Sequence, residues 1–171
     1  MIYILHYGLF FLIYFSYFFP LWKKSTLDKL TIHTLMFSYI CLVLTFTVIP
    51  LTVPFHYDYP NLWQSINVIP FRDIIRGYGS ASRELVLNIM MMIPFGIIFP
   101  LLTNQNAVKT IITSCLFSIT IETTQLMTIL FASSHPRVVD ITDVITNTIG
   151  GSIGYLLYLF FSYVLDKKQS K

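Results

Sequence analysis

Carboxylates and amides set at helical spacing inside apolar stretches are the residues of this chain whose types and positions can do chemistry. Asp140, Asp143 and Asn147, followed by Gly150, Gly151 and Gly154, recur at spacings of three or four in the last apolar stretch. At about 100° per residue that places them on one helix face, carboxylates first and glycines deeper. Ser118, Glu122 and Gln125 repeat the pattern one stretch earlier, and Asn88 precedes Pro94 and Gly96 in the stretch before that. A charged side chain near the centre of a bilayer costs roughly 3 kcal/mol on insertion scales, so such groups mark places where function or strong compensation keeps them. Glu122 and Asp143 are the candidates for general acid and base. Glu122, Asp140 and Asp143 together would offer oxygen ligands to a hard cation, a reading weakened by competing arginines, and no metal or other cofactor is expected. Arg72, Arg83 and Arg137 would give charge-assisted hydrogen bonds to phosphate or carboxylate. Each feature also has a structural reading. Asp140 suits a helix N-cap, glycines let helices approach closely, and buried polar networks fix helix register.

The elements that must position these groups are membrane helices. The 171 residues are 55% hydrophobic and 11% charged, and the mean hydropathy is +0.69. A helix needs about 20 apolar residues to cross about 30 Å of hydrocarbon. Five stretches reach that length, at about 2–22, 33–51, 85–102, 110–131 and 141–165. The expected fold is all-α, a bundle of about five transmembrane helices forming one domain over 1–171, with no room for a separate soluble catalytic domain. The first stretch has no basic region before it and no small-residue cleavage pattern after it, so it reads as a retained helix. The net charge of +3 is spread without a basic block, which excludes a nucleic-acid footprint. Cys41 and Cys115 both fall in apolar stretches and read as small packing residues.

Lysine and arginine in short loops resist translocation. All seven lysines (Lys23, Lys24, Lys29, Lys109, Lys167, Lys168 and Lys171) border loops or ends that five crossings put on one face. That face is expected to be cytoplasmic, with the C-terminus on it and the N-terminus outside. Arg72, Arg76, Arg83 and Arg137 fall on the other face with Asp58, Asp73, Glu84, Glu122, Asp140 and Asp143. The long loop on that face, Thr52 to Glu84, alternates Leu62, Trp63, Ile66, Ile69, Phe71, Ile74 and Ile75 with Asn67, Arg72, Asp73 and Arg76. That alternation suits a segment in the head-group layer or one dipping back into the bundle. Three helices thus place polar faces in the outer half of the membrane, which implies an outward-facing, charge-paired pocket. Its expected ligand-binding residues are Asn67, Arg72, Arg83, Asn88, Glu122, Gln125, Arg137, Asp140, Asp143 and Asn147.

The order Asn67-Val68-Ile69-Pro70-Phe71, Asn88 with Pro94 and Gly96, Ser118 with Ile121, Glu122 and Gln125, then Arg137-x-x-Asp140-x-x-Asp143-x-x-x-Asn147-x-x-Gly150 with Gly154, resembles the motifs of the VanZ-like membrane proteins. The resemblance covers about half of the chain, from Asn67 to Gly154. It implies a bacterial plasma-membrane protein of a family whose founding member is linked to low-level resistance to the glycopeptide antibiotic teicoplanin.

Two kinds of function follow. In the first, the protein turns nothing over, and its outer pocket binds or modulates a polar head group of the cell envelope: a membrane lipid, a lipid-linked wall precursor or the glycopeptide itself. In the second, it is an integral-membrane hydrolase or transferase acting on such a head group with Glu122 or Asp143 as acid or base. Against the second, no Ser, Cys or His pairs with a base in the sequence, and His135 is a lone loop histidine.

Overall fold

The computed structural model describes residues 2–47, 66–132 and 139–169. Among them α1 (Ile2–Ile13) passes through a π-helical turn at Tyr14–Phe18 into α2 (Phe19–Trp22), so the first expected span is one helix with a widened turn near its middle. Next come α3 (Leu27–Thr47), a two-residue strand β1 (Ile66–Asn67), the single-turn helix α4 (Arg72–Ile75), α5 (Ala81–Thr103), α6 (Ala107–Ala132), a two-residue strand β2 (Val139–Asp140) and α7 (Ile141–Gln169). By length and apolar character alone, Leu27–Thr47, Ala81–Thr103 and Ile141–Lys168 are each able to cross a membrane. The helices at 2–22 and 107–132 coincide with the first and fourth expected spans.

Helix ends run past the apolar stretches, because intrahelical hydrogen bonds need no hydrophobic residue. α3 starts six residues before the expected His33, with Leu30 N–H already bonded to Thr26 O at 2.9 Å. The far end of the expected second span, 48–51, lies outside the described residues. α5 takes Arg83 and Glu84 into its first turn, where the acidic group complements the helix dipole. Pro94 and Pro100 both sit inside α5, which stays helical to Thr103. A proline leaves nearby carbonyls short of donors, and neighbouring helices in a membrane can supply them. Here Tyr39 Oη donates to Met91 O at 3.0 Å, one turn before Pro94. At its far end α5 stops on Asn104 in the left-handed region (φ 51°), whose N–H bonds Pro100 O at 2.9 Å.

The helices pack through two kinds of surface. α5 and α7 run parallel along a seam of glycines: a Cβ on Gly150 would lie 3.0 Å from Ile89 Cα, and one on Gly154 would lie 2.8 Å from Gly96 Cα. Hydrocarbon solvates apolar faces as well as another helix does, so such contacts work through close van der Waals approach. α6 lies antiparallel to α7, with the Ser114 side chain against Gly151. Bulky residues instead fill the space where α3 meets α5 and α6: Tyr39, Val43, Met92, Phe95 and Ile121 are buried together, and the Phe95 ring stacks on Phe117 at 5.1 Å.

Candidate functional site

At the end of the bundle opposite the Lys23–Lys24 turn, the described part of the long loop is fastened onto α7. Ile66 and Asn67 pair with Val139 and Asp140 as a parallel bridge. Asn67, 1% exposed, donates from Nδ2 to Asp140 Oδ2 at 2.7 Å and accepts the Ile69 N–H on Oδ1 at 3.2 Å. The chain then turns at Phe71, held in the left-handed region at φ 59°, a costly conformation for a bulky residue. Its N–H donates to Thr142 Oγ1 at 2.9 Å, which ties the turn to the first turn of α7. Asp140 does act as the N-cap of α7: its Oδ1 accepts the Thr142 N–H at 2.7 Å.

Around this fastening lie the other carboxylates. Glu122 of α6, 5% exposed, accepts the Asp140 backbone N–H on Oε2 at 3.2 Å. Asp143 stands within charge range of Glu122, with Asp140, Glu84 and Asn88 of α5 also near it. Four carboxylates from four elements therefore share one neighbourhood, and the donors that meet them are the Asn67 amide and two backbone N–H groups, with the Asn88 amide close by. Phe71, Asp73, Glu84, Asp140, Thr142 and Asp143 line a cavity of about 20 Å³ between α4, α5 and α7. That is room for about one water-sized group.

One turn deeper, Asn147, 1% exposed, donates from Nδ2 to Ser118 Oγ at 2.9 Å. Its Oδ1 is buried without a hydrogen-bond partner among the described residues. Ser118 belongs to a buried stripe, Thr110, Ser114, Ser118 and Glu122, spaced by four. The sequence reading ended this stripe at Ser118. It continues into the lysine-bearing half, but Ser114 and Thr110 turn their hydroxyls to their own helix, at Thr110 O (2.9 Å) and Asn106 O (3.0 Å), so they serve close packing.

Of the residues expected to form one pocket, the fold brings together Asn67, Asn88, Glu122, Asp140 and Asp143, with Asn147 a turn below. Gln125 goes elsewhere: its Nε2 donates to Thr47 O at 3.0 Å, closing the end of α3. Arg72 bonds the adjoining Asp73 (Nε to Oδ1, 3.3 Å), and Arg83 is exposed, so among the described residues amides and backbone N–H groups, not arginines, compensate the buried carboxylates. Arg137 and His135 lie outside the described residues. Sequence reasoning missed Thr142 and Phe71, whose contact spans 71 positions. The sole signal was the Asp140-x-Thr142 spacing of an N-cap followed by a hydroxyl residue.

Chemically, the cluster is rich in acceptors whose donors are internal. Its free capacity is for a group that donates: a hydroxyl, an amide N–H or an ammonium. Among the described residues no three His, Cys, Asp or Glu side chains are placed to hold a metal ion. Arg76 and Arg83 are exposed around the same end.

Comparison with known proteins gives one positive result. A family model described as VanZ/LLP1 matches residues 36–162. That range takes in β1 to β2 and most of α7, with every residue of the carboxylate cluster, and leaves out α1, α2 and the start of α3. No curated protein and no solved structure matches.

Proposed function

The chain belongs to the VanZ/LLP1 family and is a membrane protein, and from that premise we propose that it is a bacterial five-span protein that presents the carboxylate cluster at the outer face of the plasma membrane. There it binds or modulates a polar head group of the cell envelope, and so contributes to resistance against teicoplanin-type glycopeptides. The observation that carries this reading is the convergence of Glu122, Asp140 and Asp143 with Asn67 and Asn88 at one end of the bundle. The lysines among the described residues border the helix ends on the opposite side. Basic residues favour the cytoplasm, which turns the acidic end outward.

The ligand class follows from what the site has to offer. Acceptors in the cluster take hydroxyl, amide or ammonium donors, and the exposed Arg83 takes phosphate or carboxylate at the rim, Arg72 and Arg137 being the other expected cations. A lipid-linked wall precursor carries both kinds of group on a molecule that is half in water and half in lipid. The proximity of Glu122 to Asp143 favours a second reading, an acid/base pair acting on such a head group.

The test is protection. In a strain where the parent protein measurably raises resistance to teicoplanin, Glu122→Gln and Asp143→Asn should each remove protection while the protein stays in the membrane at normal abundance. Full protection by both variants refutes the site. Release of a cleaved head group from a purified lipid-linked precursor by the parent, absent in both variants, would establish the enzymatic reading. Orientation is tested separately: a reporter active only in the cytoplasm should work when fused after Lys171 and be silent when fused at Tyr59.

A further inference from the structure

The short helix α4 is pinned at both ends to the first turns of membrane helices. Phe71 N–H is bonded to Thr142 of α7, and the turn after α4 leads directly into α5, with Tyr78 N–H on Asp73 O and Ala81 N–H on Tyr78 O at 3.0 and 3.1 Å. A segment held at the level of two first turns lies across the helix ends, in the plane where a bilayer meets water. Its inner side is occupied: Asn67 is buried against Asp140, and Phe71 and Ile74 line the acidic cavity. Its outer side is apolar. Val68 is 74% exposed, Ile75 78%, Ile69 54% and Tyr78 56%. On α5 the exposed Val86, Leu87 and Met90 begin five residues after Ala81, roughly 7.5 Å along the axis at 1.5 Å per residue. Tyr78, whose carbonyl accepts the Ala81 N–H, therefore lies within about two helical turns of surface that the bilayer must cover.

Charge selects the lipid. Asp73 is already paired with Arg72, Arg76 is exposed on the last turn of the segment, and Gly77, at φ 72°, lets the chain reverse immediately after it. An apolar patch carrying a guanidinium without an ion pair among the described residues suits a surface with hydrocarbon below and phosphate above.

We propose that residues 68–78 form an interfacial docking surface for anionic phospholipid, with Val68, Ile69, Ile75 and Tyr78 entering the acyl boundary and Arg76 resting on head-group phosphate. The segment is thus interfacial rather than re-entrant, and it covers the carboxylate cluster from the lipid side. The proposal rests on the membrane placement given above, and is independent of what the cluster binds.

Full-length protein carrying Cys41→Ala and Cys115→Ala, with a single Ile75→Cys or Val68→Cys bearing an environment-sensitive fluorophore, is reconstituted into phosphatidylcholine vesicles with and without phosphatidylglycerol. Spin-labelled lipid should quench both positions and aqueous iodide should spare them, whereas Asn104→Cys in the α5–α6 loop should be open to iodide. Quenching should favour the phosphatidylglycerol carrier by roughly fivefold, and Arg76→Gln should abolish that preference. Iodide quenching at both positions overturns the docking surface, and equal quenching by the two carriers overturns its anionic selectivity. Should the cysteine variants not fold, Tyr78→Trp in a Trp22→Phe, Trp63→Phe background reads the same depth with brominated lipids. Lipid quenching in a protein whose cluster variants still protect against teicoplanin would leave this surface standing and remove the proposed function alone.

Discussion

The seam between α5 and α7 and the pairing of the N-terminal helix with α3 are both contacts between long apolar helices, and they are built from opposite materials. At the first, Gly96, Gly150 and Gly154 bring backbone against backbone, so that the helices touch along their shared length. At the second, rings do the packing: Trp22 stacks on His33 at 4.8 Å, Phe18 meets Phe37 at 5.1 Å, and Tyr14 meets Phe37 at 5.3 Å. Beyond these rings the helices diverge and leave an apolar groove of about 380 Å³ between Tyr7–Phe11 and Ser38–Leu42. Without a hydrophobic drive between helices, contact is set by how closely surfaces can approach. Glycine seams hold the geometry of a polar site, whereas an aromatic seam holds one end and leaves the other free. The carboxylate cluster is built on the first seam and inside the family match, and the groove straddles the start of that match, with its N-terminal wall outside.

The sharpest way to break this comparison is to put the same side chain on each seam. Gly154→Leu or Gly96→Leu should eliminate most folded, monodisperse protein, since even a Cβ there meets backbone and overpacking costs 1–3 kcal/mol or more. Gly8→Leu, where a Cβ meets nothing within 4 Å, should leave yield and elution in detergent unchanged. Normal folding of Gly154→Leu would show that close approach does not hold the site.

Smaller effects sharpen it. Asn67→Ala removes the amide that bonds Asp140 and the capped Ile69 N–H together, and leaves a buried carboxylate oxygen with one donor fewer. A loss of about 1–3 kcal/mol is expected, read as earlier thermal unfolding and faster protease cleavage near residue 68. Gln125→Leu should cost less, about 0.6 kcal/mol, because it removes one hydrogen bond to the Thr47 carbonyl at the end of α3. Unfolding of the purified variant against the parent measures it. Smallest of all, Tyr14→Phe deletes the 2.7 Å bond to Thr34 Oγ1, while Thr34 keeps its bond to Leu30 O. Its unfolding transition should match the parent's within error, and a shift as large as that of Asn67→Ala would mean that the N-terminal helix is held as firmly as the glycine seam.

Much of the fold was legible because the signals are local. Apolar stretches of about the right length located every long helix, and spacings of three and four put Gly150 and Gly154 on a packing face, as they are. The same arithmetic grouped Gln125 with Glu122, yet Gln125 reaches the end of α3. Periodicity fixes a direction around one helix and says nothing about which helix stands there. Among the described residues, charge pairing takes another route for a similar reason. Arginines near in sequence to a carboxylate cluster are candidates by proximity, but Arg72 found its own neighbour first.

By itself the sequence determined the membrane class, the helices, the lysine asymmetry and the residues worth placing in a site, since composition and the helical repeat act over a few residues. The tertiary structure alone decided that the capping Asp140 is also the partner of Asn67, that its backbone N–H serves Glu122, and that Thr142 holds the Phe71 turn. Those bonds join positions 18 to 73 residues apart. Their existence depends on the register of the glycine seam and on a turn strained at one phenylalanine, neither of which any local pattern encodes.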